Sequence, residues 1–540
     1  MCLLAVSAAW AQKTVQGALA EDETWSGTVM LDGYVYVPNG VTLTIEEGTV
    51  IQGLAADNIS NADAISALIV SRGGVIEAEG TADEPIIFTS EFDDVTDDDD
   101  LNLDDETESR GLWGGVIIMG KAPIGAASTE ATIEGLPEGD GTIYGGEVAD
   151  DYSGTLKYVS IRHGGSEFAP DEEINGLTLG GVGSKTVIEH VEVVYNLDDG
   201  IEFFGGTVSV KWGLVAYCGD DGFDWDLGWR GNGQFWCVIG DTEEGDHGGE
   251  LDGAKPDDNA LYANPSVYNF TFIGGYDGSV NNAKNEHAIL LRDGSAGTLA
   301  NGVIAGYNNY ALQIEETDQS KSSFGYMKDG DLKLLNNIWH DFGAGDSWDD
   351  VILPTPETSS SSHLDDVKSH LSDNNNELAQ SGIDVTKRGK GLSVVPGIGS
   401  LADTKGSATP SGSWFSTADY IGAFEPGTVG WGEEWTAVEV YGLASFDAAL
   451  STRYTNVVNT NLYPNPANDF ARLAFGLESN EQINIQITNL TGKVVMDLGS
   501  ANYTSGNNII EINVEALNSG VYFINLVSDK TRFTQRLIKE

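Results

Sequence analysis

Between residues 198 and 292 carboxylates recur at a repeated interval. Asp198-Asp199 with Glu202 is followed 22 residues later by Asp220-Asp221 with Asp224 and Asp226, and a third set holds Asp246-His247, Glu250 and Asp252. If the copies stack, Asp198 lies over Asp220, Asp199 over Asp221 and Glu202 over Asp224. Two carboxylates about 4.8 Å apart repel by roughly 3 kcal/mol at an effective dielectric near 20. Such a ladder must bind cations, share protons or splay into water. The first outcome makes Asp198, Asp199, Glu202, Asp220, Asp221, Asp224, Asp226 and Asp246 a set of hard oxygen ligands suited to Ca²⁺. The second makes Asp199, Asp221, Asp224, His247 and Arg292 an acid/base constellation, since raised carboxylate pKa values mark catalytic sites and paired carboxylates cleave glycosidic bonds. The third is a solvated acidic ridge. Asp199, Asp221, Asp224 and His247 are expected at corresponding strand positions of three rungs, with His287, Gln313 and Glu315 in the outward columns beyond them.

These side chains need elements that repeat with them. The phrase around Gly200 returns at Gly222, Gly248, Ala288 and Ala311, with a weaker copy at Gly176, at spacings of 24, 22, 26, 40 and 23. After each small residue the chain alternates, as in Ile201 and Phe203 against Glu202 and Phe204, which is the period of a strand. A repeat of about 22 residues with short strands and tight turns buries its apolar face only by stacking on its neighbours. The expected fold is all-β: a right-handed parallel β-helix with Ile201, Phe203, Phe223 and Trp225 inward. A leucine-rich frame is missing, and a propeller blade needs about 40 residues.

The chain has 540 residues and a net charge of −57, from 84 acids and 27 bases. That excess argues against nucleic acid or an anionic membrane as partner. Residues 461–540 hold 8 acids and 6 bases, leaving 76 and 21 for the rest, so a domain boundary falls near Asn459. Met1 to Ala11 is an apolar run ending in Ala9-x-Ala11, read as a signal peptide whose start is truncated, so the mature chain begins at Gln12. No other stretch is apolar enough to span a membrane. Cys218 and Cys237, close to one rung apart, form either a disulfide or two small core residues.

The coil is expected over 12–434, with an acidic loop at 91–110, an insertion at 341–392 and an aromatic C-terminal cap at 414–435 over the last rung. Residues 435–460 are a linker and 461–540 a small Ig-like β-sandwich. The insertion contains His363-Leu-Asp-Asp-Val-Lys-Ser-His370, a short amphipathic helix whose histidines are not spaced as a metal pair. Trp212, Trp229 and Trp236 are either core or, if outward, sugar platforms. Arg162-His163 is read as a turn or rung edge.

Leu462-Tyr-Pro-Asn-Pro-Ala467, the turn Asn489-Leu-Thr-Gly-Lys493, Ser519-Gly-Val-Tyr522 and the basic tail to Lys539 follow one another in an order that closely resembles the C-terminal sorting domain of the type IX secretion system, type A, of the Bacteroidetes. The resemblance implies export, recognition by that secretion machinery, and surface attachment or release. The Trp-Gly-Gly and Asp-Asp-Gly rungs and the aromatic segment resemble those of a group of exported bacterial β-helix proteins. The coil also resembles pectin-lyase-like enzymes, which use this kind of face for polyuronate cleavage. It lacks the Gly-His-Gly after an Asp-Asp pair, and the downstream Arg-x-Lys, of the polygalacturonase pattern. The expected function is therefore a surface-attached or released, non-catalytic glycan-binding protein stabilised by calcium. A polysaccharide-cleaving enzyme working through the 198–292 face is the alternative.

Overall fold

The computed structural model describes residues 12–539 apart from 62, 97–108, 134, 135, 137, 138, 140, 168–172, 257, 258, 277–283, 318–320, 356–359, 405–408, 411–413, 449–456, 478, 479, 490–492 and 529–531. The signal-peptide reading and most of the acidic loop lie outside the described residues.

From Lys13 to Leu378 the strands of the coil pair in parallel with those of neighbouring turns, and Ala131–Thr132 and Ile143–Tyr144 form a separate antiparallel pair. Two strands alternate along the best-formed turns. Short strands at Leu177–Gly180, Ile201–Phe204, Phe223–Asp226, Gly249–Asp252, His287–Arg292 and Tyr310–Ile314 stack in one sheet. Longer strands such as Val187–Val194, Ser209–Ala216 and Asn232–Ile239 bend in the middle and supply two further faces. The bend falls on a left-handed residue that lines up from rung to rung: Tyr158, His190, Trp212 and Phe235 (φ 50°, 55°, 58° and 60°), then Asn269, Asn301 and Asn336. Asparagine tolerates this conformation, whereas bulky residues pay for it. Here the bulky ones offset the strain by lying flat on one another, Tyr158 on His190 and His190 on Trp212 at 4.4 Å each.

The register reproduces the small-residue ladder, since Leu177 pairs Ile201, Ile201 pairs Phe223 and Phe223 pairs Gly249. The reason is packing. A Cβ on Gly200 would sit 2.2 Å from Val215 Cγ1, and one on Gly222 2.6 Å from Val238 Cγ2. Gly200→Ala is therefore expected to cost about 1–3 kcal/mol by overpacking, seen as a lower denaturant midpoint. A Gly200→Ala chain as stable as the parent would refute the packing argument.

Ile201, Phe203, Phe223 and Trp225 point inward as expected. Trp229 and Trp236 join them, Trp236 stacking on Phe223 at 4.0 Å, with indole N–H groups donating to Val208 and Val210 carbonyls. Trp212 is held between His190 and Phe235. The sugar-platform alternative is thus overturned for Trp229 and Trp236. Cys218 and Cys237 are free and buried, Cys237 lying opposite Leu214, so the disulfide alternative fails and the core one stands.

The segment expected as an end cap runs along the side of the coil instead. Gly422 N–H donates to Asn301 O, Ala423 N–H to Thr271 Oγ1, and Asn269 Nδ2 to Tyr420 O. Ser416 and Gln234 exchange two hydrogen bonds, and Lys211 Nζ donates to Trp414 O. Residues expected as linker continue this seam: the Ala437–Val440 helix buries Ala437 and Val438, and Ser445–Ala448 pairs with Ser393–Val395. The end of the coil is covered from the 341–392 insertion, where the His363–Asp373 helix buries Val367 and Leu371 in the main core. His363 donates from Nε2 to Ile314 O and His370 Nε2 accepts from Leu334 N–H, so neither is available as a paired ligand. Arg162 and His163 lie at a buried rung edge, His163 against Ser109 O.

Residues 457–539 form two antiparallel sheets, of three and four strands, around Leu473, Phe475, Ile483, Ile485, Ile487, Ile512, Ile524, Leu526 and Leu537. This is the expected β-sandwich.

Candidate functional site

The outward positions of the short strands make three columns. The first, at the residue before each small anchor, reads Asn175, Asp199, Asp221, His247, His287, Tyr310. The second reads Thr178, Glu202, Asp224, Glu250, Leu290, Gln313, and the third Gly180, Phe204, Asp226, Asp252, Arg292, Glu315. Asp199, Asp221 and His247 thus share a column, whereas Asp224 stands three residues along in the next one. Arg292 belongs to the third column, one rung beyond His247. The expectation of one common column is corrected accordingly.

The acids are not a solvated ridge. Asp199, Asp221, Glu202 and Asp226 are 6%, 4%, 8% and 7% exposed, while Asp198, Asp220 and Asp246 form the outer rim. Asp199 Oδ1 accepts the N–H of Asp221 at 2.9 Å, and Asp221 Oδ1 accepts that of His247 at 2.6 Å, so each carboxylate is fixed by the rung beyond it. Asp221 Oδ1 also meets His247 Nδ1 at 2.9 Å. Glu250 Oε2 lies 3.5 Å from the same nitrogen, and Asp246 Oδ1 3.8 Å from Nε2. Arg292 bonds Glu250 through one amino group and Asp252 through Nε at 2.8 Å, and Lys255 pairs with Asp226 at 2.9 Å.

Burial, then the charges of Asp198 and Asp221, pushes the Asp199 carboxyl well above the usual range. Burial followed by Glu202 and Asp252 does the same to Asp224. Asp252 is pushed up by burial, and held back by Arg292, to about 7. Burial alone would lower His247, but the charge and hydrogen bond of Asp221 carry it to about 9. His287, buried and beside His247, falls to about 4.

Ligand atoms converge in three groups, each with all atoms within 4.8 Å: Asp198, Asp199 and Asp220; Asp199, Glu202 and Asp224; and Asp221, His247 and Glu250. The second group has a partner that sequence reasoning passed over. Asn175 Nδ2 bonds Glu202, while its Oδ1, on a side chain 6% exposed, has no hydrogen-bond partner among the described residues. Asp224 Oδ1 is likewise buried without one among them. Asn175 stood in the weak upstream copy of the repeat, so its place in the column was readable although its role was not weighed. Lys255, in the loop after the third rung, carried no periodic signal.

A separate cleft of about 540 Å³ is lined by Asn39, Arg72, Lys121 and Gly145 to Val148, on successive turns nearer the start of the coil. A Cβ on Gly73 (φ +89°) would lie 2.2 Å from Asn39 Oδ1 and 2.8 Å from Lys121 Nζ, so glycine there lets the two side chains approach.

The stacked parallel strands and interior aromatic ladder define a β-helix, and the chain belongs to the family described as pectate-lyase like beta helix domain, which matches residues 17–391. Residues 461–540 match the secretion system C-terminal sorting domain. The protein is thus an exported, pectate-lyase-like β-helix sorted by the type IX secretion system to the outer surface or the medium. No curated protein matches the chain. Among solved structures, the enzymatically active domain of bacteriophage CBA120 tailspike protein 2 is similar at 10% identity, covering 95% of this chain and 72% of that one, with a TM-score of 0.21. No helix among the described residues is long and apolar enough to cross a membrane. Deleting 461–540 is expected to leave the chain inside the cell envelope. Fractionation of cells expressing the deletion checks this, and normal surface display would refute it.

Proposed function

We propose that the protein is a non-catalytic, glycan-binding component of the cell exterior whose β-helix is rigidified by calcium. The observation that carries the reading is that the groups a hydrolase or lyase would need are spent on one another. His247 is enclosed by Asp221, Glu250 and Asp246 and stays protonated at neutral pH, so it offers no base. Arg292 is occupied by Glu250 and Asp252. Calcium suits the neighbouring group: Asp199, Glu202 and Asp224 each bring a carboxylate oxygen within 4.8 Å of the others, and Asn175, bonded to Glu202, adds an Oδ1 without a hydrogen-bond partner among the described residues, leaving the rest of the roughly six to eight oxygens this ion takes to second carboxylate oxygens and water. Bound there, calcium would neutralise the strip and tie adjacent rungs together.

The glycan contact is assigned to the Asn39–Arg72–Lys121 cleft. Its volume falls in the ordinary range for small-ligand pockets of about 300–1,000 Å³. Lys121 and Arg72, the latter also paired with Glu130 and donating to the Gly145 carbonyl, stand beside a carboxylate and an amide, which suits a sugar that carries both an acid and hydroxyls. Binding of uronate-containing and neutral oligosaccharides should be measured on the parent and on Arg72→Ala/Lys121→Ala, together with release of reducing ends and unsaturated products. Uronate binding that weakens at least tenfold in the double variant, without turnover, is the expected result. Equal binding by parent and variant would remove the cleft from the reading.

The enzymatic alternative has one observation in its favour, the carboxyls of Asp199 and Asp224 pushed toward the protonated form by burial and by neighbouring acids, as those of general acids are. Turnover abolished by Asp221→Asn or Asp224→Asn would establish it and overturn the non-catalytic proposal.

A further inference from the structure

Arg72 lines the Asn39–Arg72–Lys121 cleft, yet its guanidinium already carries a carboxylate. Through Nη1 it donates to Gly145 O at 2.8 Å and pairs with Glu130, which comes from a loop that does not itself line the cleft. We propose that Glu130 is a built-in competitor for Arg72: an acidic sugar enters the cleft by putting its own carboxylate in that place and releasing the loop that carries Glu130. This rests on the reading of the cleft as a glycan site and names what controls entry to it.

The loop is built to let go. Ala127 to Glu130 are exposed, and among the described residues they make no main-chain hydrogen bond outside the loop, the N–H of Glu130 turning back to Ser128 Oγ. Behind them Ala126 O accepts from Asn259 Nδ2, and ahead Ala131–Thr132 pairs with Ile143–Tyr144. Between these anchors the polar hold on the coil, among the described residues, is the ion pair of Glu130 with Arg72. The other contact is steric. A Cβ on Gly145 (φ +90°) would lie 2.6 Å from Thr129 O, so the loop rests against the same glycine whose carbonyl Arg72 holds.

The exchange is balanced at Arg72. The side chains of Arg72 and Glu130 are 26% and 50% exposed, and a pair so hydrated holds weakly. A carboxylate arriving from solvent replaces it like for like, one charge-assisted contact to a guanidinium breaking as another forms. The net gain then comes from Lys121 and Asn39, which Gly73 allows to approach one another. A neutral sugar has no charge to offer Arg72 in exchange, so the pair stays closed against it. A carboxylate that instead steadied Arg72 for the ligand would act in the opposite direction, so the sign of one substitution decides between the two roles.

The test is calorimetric titration of the full chain with trigalacturonate and, as the neutral counterpart, galactotriose. Glu130→Gln keeps the shape and removes the charge. It should tighten trigalacturonate about two- to fivefold, the span that an exposed ion pair corresponds to, and leave galactotriose unchanged. In an Arg72→Ala background, where affinity is weaker, the same substitution should bring no gain because nothing is left to compete for. A gain that persists there is a general charge effect and overturns the proposal. Weaker binding by Glu130→Gln makes Glu130 a positioning residue and overturns it as well. Equal binding by parent and Glu130→Gln removes the competitor but leaves the cleft as a glycan site, whereas trigalacturonate binding by neither chain removes both.

Discussion

Adding calcium at pH 8.5 should raise the melting temperature of the EDTA-stripped protein by several degrees, and at pH 6.5 by much less. The direction follows from the acids of the strip. Asp252 has a folded pKa of about 7 against an ordinary 3.8, and His247 about 9 against 6.5. Asp199 and Asp224 are also raised well above the ordinary value, by burial first and then by neighbouring carboxylates. A group whose folded pKa lies above its unfolded value stabilises fully below the unfolded one, and that contribution is lost as pH rises through the folded one. Between pH 6.5 and 9 the metal-free protein therefore loses stability as His247 releases its proton, with Asp252 adding to the loss up to about pH 7. His287 and His190, lowered to about 4, are neutral in the folded state across this window and half protonated at pH 6.5 only when unfolded, so they offset the loss only slightly, near its lower edge. Calcium competes for the oxygens that protons leave, so its effect grows with pH. At a hundredfold excess over Kd it contributes about 2.7 kcal/mol. Melting curves with calcium and with EDTA at the two pH values measure the difference. An equal shift at both would mean that calcium binds elsewhere, and no shift would remove calcium from the proposal.

The register behind this prediction was legible because the repeat carries it. In three successive rungs the glycine before the short strand has to lie against a valine of the long strand, Gly176 against Val193, Gly200 against Val215 and Gly222 against Val238, while Gly248 meets Tyr307 and Phe272 and alanine takes the place at 288 and 311. Once the anchors were aligned, Asp199 over Asp221 and Glu202 over Asp224 followed, and the pairing of Ile201 with Phe223 places them so. Burial was not legible. Alternation says that Asp199 and Glu202 point away from the interior of the coil, yet they are 6% and 8% exposed, because neighbouring side chains and turns crowd over a face that period-two patterning marks only as outward. The mistaken common column had the same root. Acids recur three residues apart within each rung, and proximity in sequence made Asp221 and Asp224 look equivalent although they belong to different stacks.

The side seam was invisible for a different reason. Trp414 to Ala448 contacts rungs between 121 and 246 residues away, from Gly422 N–H on Asn301 O to Val438 N–H on Glu192, through isolated hydrogen bonds such as Lys211 to Trp414 O, and no period announces such pairings. An aromatic cluster after a solenoid is reasonably read as an end cap. Here the left-handed corner column leaves Tyr158, His190 and Trp212 needing cover, and Trp435 packs edge-on against Tyr158 and His190.

Glu192→Ala should loosen that seam and cost about 3 kcal/mol or more. Glu192 is fully buried on the Val187–Val194 strand. Its carboxylate accepts from Ser160 Oγ at 2.6 Å and from the backbone N–H groups of Ala437 and Val438 at 2.9 and 3.0 Å, joining two rungs to the first turn of a helix 245 residues away. Hydrogen bonds to a charged group contribute about 1.5–3 kcal/mol each, and removing the acceptor leaves three buried donors unmet. Glu192→Gln keeps the shape but presents one oxygen where two were used, so it should fall between the parent and Glu192→Ala. The coil itself keeps its stacked register in both variants, because the main core does not include this segment. The effect should therefore be local as well as global: limited proteolysis should cut within 436–448 in Glu192→Ala under conditions where the parent is intact, and the unfolding midpoint should drop. Protection of 436–448 equal to the parent's would show that apolar burial of Ala437, Val438 and Phe446 holds the seam without the carboxylate.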